Sequence, residues 1–197
     1  IDNAEAVTTT GQTVIKSTAD MGNIKYNKEL GEKDLDSNIY IDTDSVFFSA
    51  VPLMDKRTPN WKDEDQDTIA GYVNDIAEEM QDYLNDFYDI LSKKIFNVDV
   101  DKHRLEIKKE YVAKAGLWIA KKRYAQWIIS DNGVPCDKLD VKGLDVKRSS
   151  FPKAFQEIMS DVLISILRGQ TETEITDKVL SFKKSMTSLD IKNIAKN

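Results

Sequence analysis

A single cysteine, Cys136, stands in this chain of 197 residues. One thiol excludes an intramolecular disulfide and any zinc site built on cysteines, and a reducing, cytoplasmic setting suits it. No apolar run approaches the roughly 20 residues that a membrane-spanning helix needs, and the N-terminus carries no signal-peptide pattern. A membrane partner is not expected. Repeats and low-complexity tracts are absent as well. The one histidine, His103, reads as a surface or turn residue, and Cys136 beside Pro135 reads as a loop residue.

What is present is enough apolar material for a core, 41% of residues, in a chain of mean hydropathy -0.46. The length fits one large domain or two small ones. A net charge of -6 argues on average against nucleic acid as a partner. That average hides a polarised chain. Between Lys102 and Arg123 stand eight basic residues against Glu106 and Glu110, while acid gathers from Asp63 to Asp89.

Loose helical spacing predicts a helix over residues 2–27, and residues 28–37 read as a charged loop. Pro52 and Pro59 mark a polar connector. The strongest helix follows, with Ile69, Val73, Ile76, Met80, Tyr83, Leu84, Phe87 and Leu91 at 3–4 spacing and acids on the other face. The period then changes. From Arg104 to Ile129 the pattern is that of strands, with Lys114-Ala115-Gly116 as one turn and Asn132-Gly133 as a second. A short strand near 138–142 precedes a helix that Ser149 or Ser150 can cap, with Pro152 in its first turn. The inner face of that helix is Phe151, Ala154, Phe155, Ile158, Val162 and Ile166, and a last helix spans about 172–186. The order predicts an α+β fold ending in a helical piece.

Two places carry chemistry. Ile39-Tyr40-Ile41-Asp42-Thr43-Asp44-Ser45-Val46-Phe47-Phe48 sets two β-favouring runs around a polar break, which reads as a hairpin. Positions i and i+2 share a strand face, so Asp42 and Asp44 project together if the backbone stays extended through the turn. Paired carboxylates on rigid backbone suit a hard divalent cation such as Mg2+. The plainer reading makes them ordinary turn residues. The second place is Lys121-Lys122-Arg123-Tyr124, read as lying inside a strand with Lys121 and Arg123 on one face and Lys122 and Tyr124 on the other. Cations on an exposed sheet edge are common. Cations with a tyrosine also make a phosphate track, and Arg148, Ser149 and Ser150 at a helix start would extend it.

Taken in order, Tyr40-Ile41-Asp42-Thr43-Asp44-Ser45, Lys121-Lys122-Arg123-Tyr124-Ala125 and Lys142-Gly143-Leu144-Asp145-Val146-Lys147-Arg148-Ser149-Ser150-Phe151-Pro152-Lys153 resemble three blocks of family B DNA polymerases. These are the third palm motif, the lysine–tyrosine primer-binding motif and the palm-to-thumb junction. The likeness is greatest to replicative polymerases of tailed bacteriophages and related viruses. Asp2-Asn3-Ala4-Glu5-Ala6-Val7-Thr8-Thr9-Thr10-Gly11-Gln12 is similar to the palm helix that follows the fingers.

The resemblance implies an antiparallel palm sheet packed on helices over residues 1–147 and a partial, helical thumb over 148–197. It implies two-metal nucleotidyl transfer from a dNTP to a primer 3′-hydroxyl, with Mg2+ or Mn2+, and a cytoplasmic location, in the host cell if the source is viral. Asp44 is then the metal ligand and Asp42 a nearby carboxylate with a catalytic part. Lys122 and Tyr124 grip the primer end, Lys121 and Arg123 support the duplex, and Arg148 contacts its backbone. Thr43 and Glu110 are accessory candidates. Partners are primer–template DNA, the dNTP and the rest of a polymerase: fingers, exonuclease and N-terminal domains.

Departures from the family pattern qualify this. Ile41 stands where many relatives have glycine. The family's upstream metal-binding aspartate, its nucleotide-gripping finger residues and an exonuclease segment have no match in the sequence. The segment is thus expected to begin after the fingers, to end in the thumb near Asn193-Ile194-Ala195-Lys196, and alone to polymerise DNA poorly. A nucleotide-sugar glycosyltransferase also uses Asp-x-Asp, but that reading leaves Lys121–Tyr124 and Arg148 without a purpose. A non-catalytic, palm-derived DNA-binding module predicts salt-sensitive duplex binding that survives Asp44→Ala and falls with a change at Lys122.

Overall fold

The structure, a computed structural model, describes residues 2–148, 150–190 and 193. It is α+β, and its contacts divide it into two compact units, Ile1–Glu110 and Tyr111–Asn197.

The first unit opens with α1, Asp2–Leu30, which continues a turn beyond the predicted helix. Gly31 (φ +80) stops it, and the Gly31 and Glu32 amides both donate to the Asn27 carbonyl. Strands β1 (Asn38–Asp42) and β2 (Ser45–Phe48) form an antiparallel hairpin. The expected connector is instead a helix, α2 (Val51–Arg57), because Pro52 falls at its first turn, where its missing N–H costs no hydrogen bond. Helix α3, Gln66–Lys94, starts at Asp65, whose carboxylate accepts from the Asp67 and Thr68 amides at 2.9 and 3.0 Å. Its stripe buries Ile76, Met80 and Leu84 against Tyr26, Leu53 and Met54. Arg57 ties the helices together, forking to Glu29 of α1 at 2.6 and 2.8 Å and to Glu79 of α3 at 2.9 and 2.7 Å.

Residues 104–110 alternate like a strand but join no ladder. They run along α3 instead. Ile107 exchanges two hydrogen bonds with the Asn85 amide, and the Lys109 N–H donates to Gln81. His103 sits at the preceding turn, its Nε2 2.8 Å from Asp89.

The second unit is a three-stranded antiparallel sheet in the order β3 (Tyr111–Ala120), β4 (Arg123–Asp131), β5 (Val134–Lys142). Three sequence expectations fail here. Lys114-Ala115-Gly116 is strand, not turn: Gly116 leaves room for the Trp118 ring, which would meet a Cβ there at 2.2 Å. The turn comes at Lys121-Lys122, so of the basic motif only Arg123 and Tyr124 lie in a strand, at the start of β4. Asn132-Gly133 does turn, with φ +49 and +81. Cys136 lies on edge strand β5 and not in a loop.

One face of the sheet packs Ala125 and Val141 against Leu163 and Leu167 of α4 (Lys153–Leu167). Ile166, expected inward, is exposed, because Leu163 and Leu167 take the inner stripe. Pro152 is the N-cap position of α4 and no side chain caps it. The Gln156 amide bonds the Arg148 and Phe151 carbonyls at 2.7 and 2.8 Å instead. Of the two expected caps, Ser150 lies in the turn two residues ahead of that position, and Ser149 lies outside the described residues. Helix α5 (Glu172–Ser185) opens with a capping box of Thr171 and Glu174.

Candidate functional site

The acidic hairpin is built from α1 upward. Asn23 and Asn27, one turn apart, hold the incoming chain. Asn23 accepts from the Ser37 amide at 2.9 Å and donates to Asp36 at 2.8 Å. Asn27 accepts from the Leu35 amide and donates to the Leu35 carbonyl, at 3.0 and 2.9 Å. At its far end Phe48 stacks on buried Tyr26, ring centroids 5.9 Å apart.

Asp42 closes the ladder opposite Ser45, so Thr43 and Asp44 are the two turn residues. Thr43 adopts φ +42. The backbone therefore does not stay extended through the motif, and the i, i+2 argument for a shared face fails. The turn itself brings the two acids together at one tip, in different settings. Half-buried Asp42 receives the Thr43 hydroxyl at 3.0 Å and, at 3.5 Å, the Tyr40 hydroxyl. Its carbonyl accepts from Ser45 Oγ at 3.2 Å. Asp44 is exposed. These are hard oxygen donors of the kind a divalent cation takes, but among the described residues no group of three acidic, His or Cys side chains converges to complete a metal shell. Glu110 is exposed and lies just ahead of β3.

The basic motif lies at the β3–β4 turn. Ala120 pairs with Arg123 after a one-residue register shift, which leaves Lys121 and Lys122 as the turn. Lys122 takes φ +60, the left-handed backbone of a bulged turn. Lys121, Lys122 and Arg123 are exposed, whereas Tyr124 is only 9% exposed and stacks on Trp118, centroids 6.5 Å apart and rings 28° from parallel. Tyr124 pairs with Lys142 of β5, and the chain then turns at Gly143 through a short 3-10 segment to exposed Arg148, whose guanidinium meets Asp145 at 3.0 Å. The lysine–tyrosine motif and the Gly143–Arg148 corner thus occupy one end of one sheet. Sequence reasoning gave no role to Trp118, Asn23 and Asn27, and took Gly143 only as part of the junction block. The asparagines carried a signal in their four-residue spacing on a helix, and Gly143 in its position directly after a strand.

The chain is 28% identical to the DNA-directed DNA polymerase of Enterobacteria phage T4 over a 204-residue alignment, covering 98% of this chain and 22% of that protein. It is 27% identical to the DNA-directed DNA polymerase of Escherichia phage RB69 over 177 residues, 84% of this chain and 19% of the relative. The DNA polymerase of Thermococcus gorgonarius is 27% identical over 187 residues, 91% and 19%. The chain therefore spans about a fifth of the length of these relatives. The family model for DNA polymerase family B matches residues 65–197. That match begins beyond the acidic hairpin, and the phage T4 alignment is long enough to take the hairpin in. With two thirds of its residues inside the family model, the chain belongs to DNA polymerase family B.

Proposed function

We propose that this chain is the palm and the start of the thumb of a polymerase that carries out template-directed DNA synthesis, with residues 1–147 as palm and 148–197 as thumb. Its substrates are primer–template DNA and a dNTP, and its remaining partners are the fingers, exonuclease and N-terminal domains of such an enzyme. A cytoplasmic setting accompanies that role. The observation that carries the reading is the exposed Asp44 carboxylate in the two-residue turn, beside an Asp42 whose oxygens receive hydroxyl donors.

That donor set fits a hard divalent ion as part of a shell and not as a whole one. Asp44 is the ligand we assign, with Mg2+ the ion and Mn2+ its substitute. Held there, such an ion would supply the charge that activates the primer 3′-hydroxyl and offsets charge on the triphosphate. The chain's own side chains do the rest. Thr43 and Tyr40 orient Asp42, so that the negative charge at the tip has a fixed direction. Lys121, Lys122 and Arg123 neutralise backbone phosphates, Tyr124 offers its hydroxyl edge to the primer end, and Arg148 adds a phosphate contact at the thumb.

Primer extension tests the assignment, using the longest polypeptide that carries this segment. Asp44→Ala should lower extension by about three orders of magnitude or more, as expected when charge stabilisation at a reacting centre is lost, with primer–template affinity retained. Extension within about tenfold of wild type would be too fast for a lost metal ligand.

A further inference from the structure

Gly143 follows β5 with φ +64. A Cβ at that position would stand 2.1 Å from the Lys122 carbonyl oxygen and 3.2 Å from Arg123 Cγ. Two constraints coincide. The left-handed backbone disfavours any L side chain, and the space is held by main chain, which cannot swing aside as the end of a side chain can. Lys122 is itself left-handed at φ +60, so the carbonyl that abuts Gly143 belongs to the strained residue of the basic turn.

We propose that Gly143 is a positioning residue for DNA binding. Its bare Cα lets the Lys122 carbonyl close onto it, and this contact sets where the Lys121 and Lys122 ammonium groups stand along a phosphate backbone. The proposal rests on the reading of this turn as a primer contact. The plainer alternative is that Gly143 only allows the chain to leave the sheet. The sheet supplies its own control. Gly133, in the β4–β5 turn, has φ +81 but nothing within 4 Å of its Cβ position. Alanine there meets the same backbone penalty without the collision.

The experiment is fluorescence anisotropy of a labelled primer–template duplex with the 197-residue chain across a range of NaCl. Lys122→Asn, which tolerates the left-handed turn, should flatten the slope of log K against log salt by about one, the loss of one phosphate contact. Gly143→Ala should weaken binding about tenfold or more at low salt and flatten the slope by a similar amount. Gly133→Ala should stay within about twofold, as suits a change far from any phosphate contact. Added to Lys122→Asn, Gly143→Ala should cost less than about threefold more, because both act on one contact. Wild-type affinity and slope in Gly143→Ala, equal losses at Gly133 and Gly143, or full additivity with Lys122→Asn would each overturn the proposal. If the wild-type chain shows no salt-sensitive duplex binding, the functional reading fails and the proposal with it. Should Gly143→Ala not fold, backbone NMR of the wild type during titration with the duplex decides. The Lys122 and Gly143 amides should shift together, and an unmoved Gly143 beside a shifted Lys122 would sink the idea.

Discussion

Gly22 of α1 lies directly against the ring of Phe48, so close that a Cβ on Gly22 would stand 2.2 Å from Phe48 Cζ. The ring also stacks on Tyr26, one helical turn further along α1, itself 2% exposed. A hairpin of two strands is marginal alone. This one is kept in place by a helix that gives up a side chain to receive it.

The same substitution should therefore have opposite signs along α1 and α3. Gly22→Ala should destabilise by about 1–3 kcal/mol, because overpacking outweighs the helix-propensity gain of ~1 kcal/mol. Gly11→Ala and Gly71→Ala, where nothing lies within 4 Å, should stabilise by about 0.5–1 kcal/mol. Urea unfolding of the three variants measures this, and a stabilised Gly22→Ala would contradict the packing described.

At the acidic tip, exposed Asp44 and half-buried Asp42 should separate in stability as well as in activity. Asp44→Ala should change unfolding free energy by less than about 0.5 kcal/mol, as for other exposed positions. Asp42→Ala removes the acceptor for the Thr43 and Tyr40 hydroxyls and should cost about 1 kcal/mol. Water proton relaxation with Mn2+ supplies a second readout. Asp44→Ala should lose the enhancement, while Thr43→Ala should keep most of it.

Arg57 should give the first unit an acid-sensitive element. Its hydrogen bonds hold the carboxyls of Glu29 and Glu79 below their ordinary range. Because the folded values are depressed, the stabilisation is present above the unfolded pKa of about 4.3 and is lost as pH falls through the folded values. Half-exposed Glu79 is screened by water, so Arg57→Gln should cost only about 1 kcal/mol at pH 7. Urea melts at neutral and acid pH should show wild type and Arg57→Gln converging in acid. A gap that stays constant would assign the effect to packing of the arginine stem.

In the second unit, Arg168 after α4 and Lys114 of β3 both lie over the Trp127 ring, 5.1 Å from its centroid. The indole N–H reaches Asp137 at 2.5 Å. Arg168→Ala should destabilise the unit by about 0.5–1 kcal/mol. In a Trp127→Leu background the same change should cost close to nothing. A double-mutant cycle on thermal unfolding measures the coupling.

How much of this was legible in the sequence depended on what set each element. The α3 stripe and the Asn132-Gly133 turn were readable because local pattern and local backbone need decide them. The Asp42/Asp44 hairpin was readable as a hairpin, but the carboxylate geometry was not, since a left-handed Thr43 leaves no mark in composition. Neither Lys121 nor Lys122 announces a turn, so the sequence alone puts the pair inside a strand. What makes it a turn is the register of β3 against β4, a non-local fact. Gly116 misled for the converse reason: it serves a tryptophan two residues on and not a bend. The α2 helix was missed because Pro52 reads as a breaker unless it falls in a helix's first turn. Residues 104–110 look like strand because polar and apolar residues alternate, but Asn85 and Gln81, about 20 residues or more earlier, take the place of a partner strand.

The asparagine pair on α1 has a practical consequence for anyone handling this protein. Asn23 and Asn27 fasten residues 35–37 to the helix, while Gly31 to Asp34 ahead of them are exposed. Strain or added length in that short stretch stops at the fastening before it reaches the acidic tip. The stretch is thus a natural port for an inserted epitope, fluorophore or affinity handle, one that could report on the hairpin from close by without setting its position.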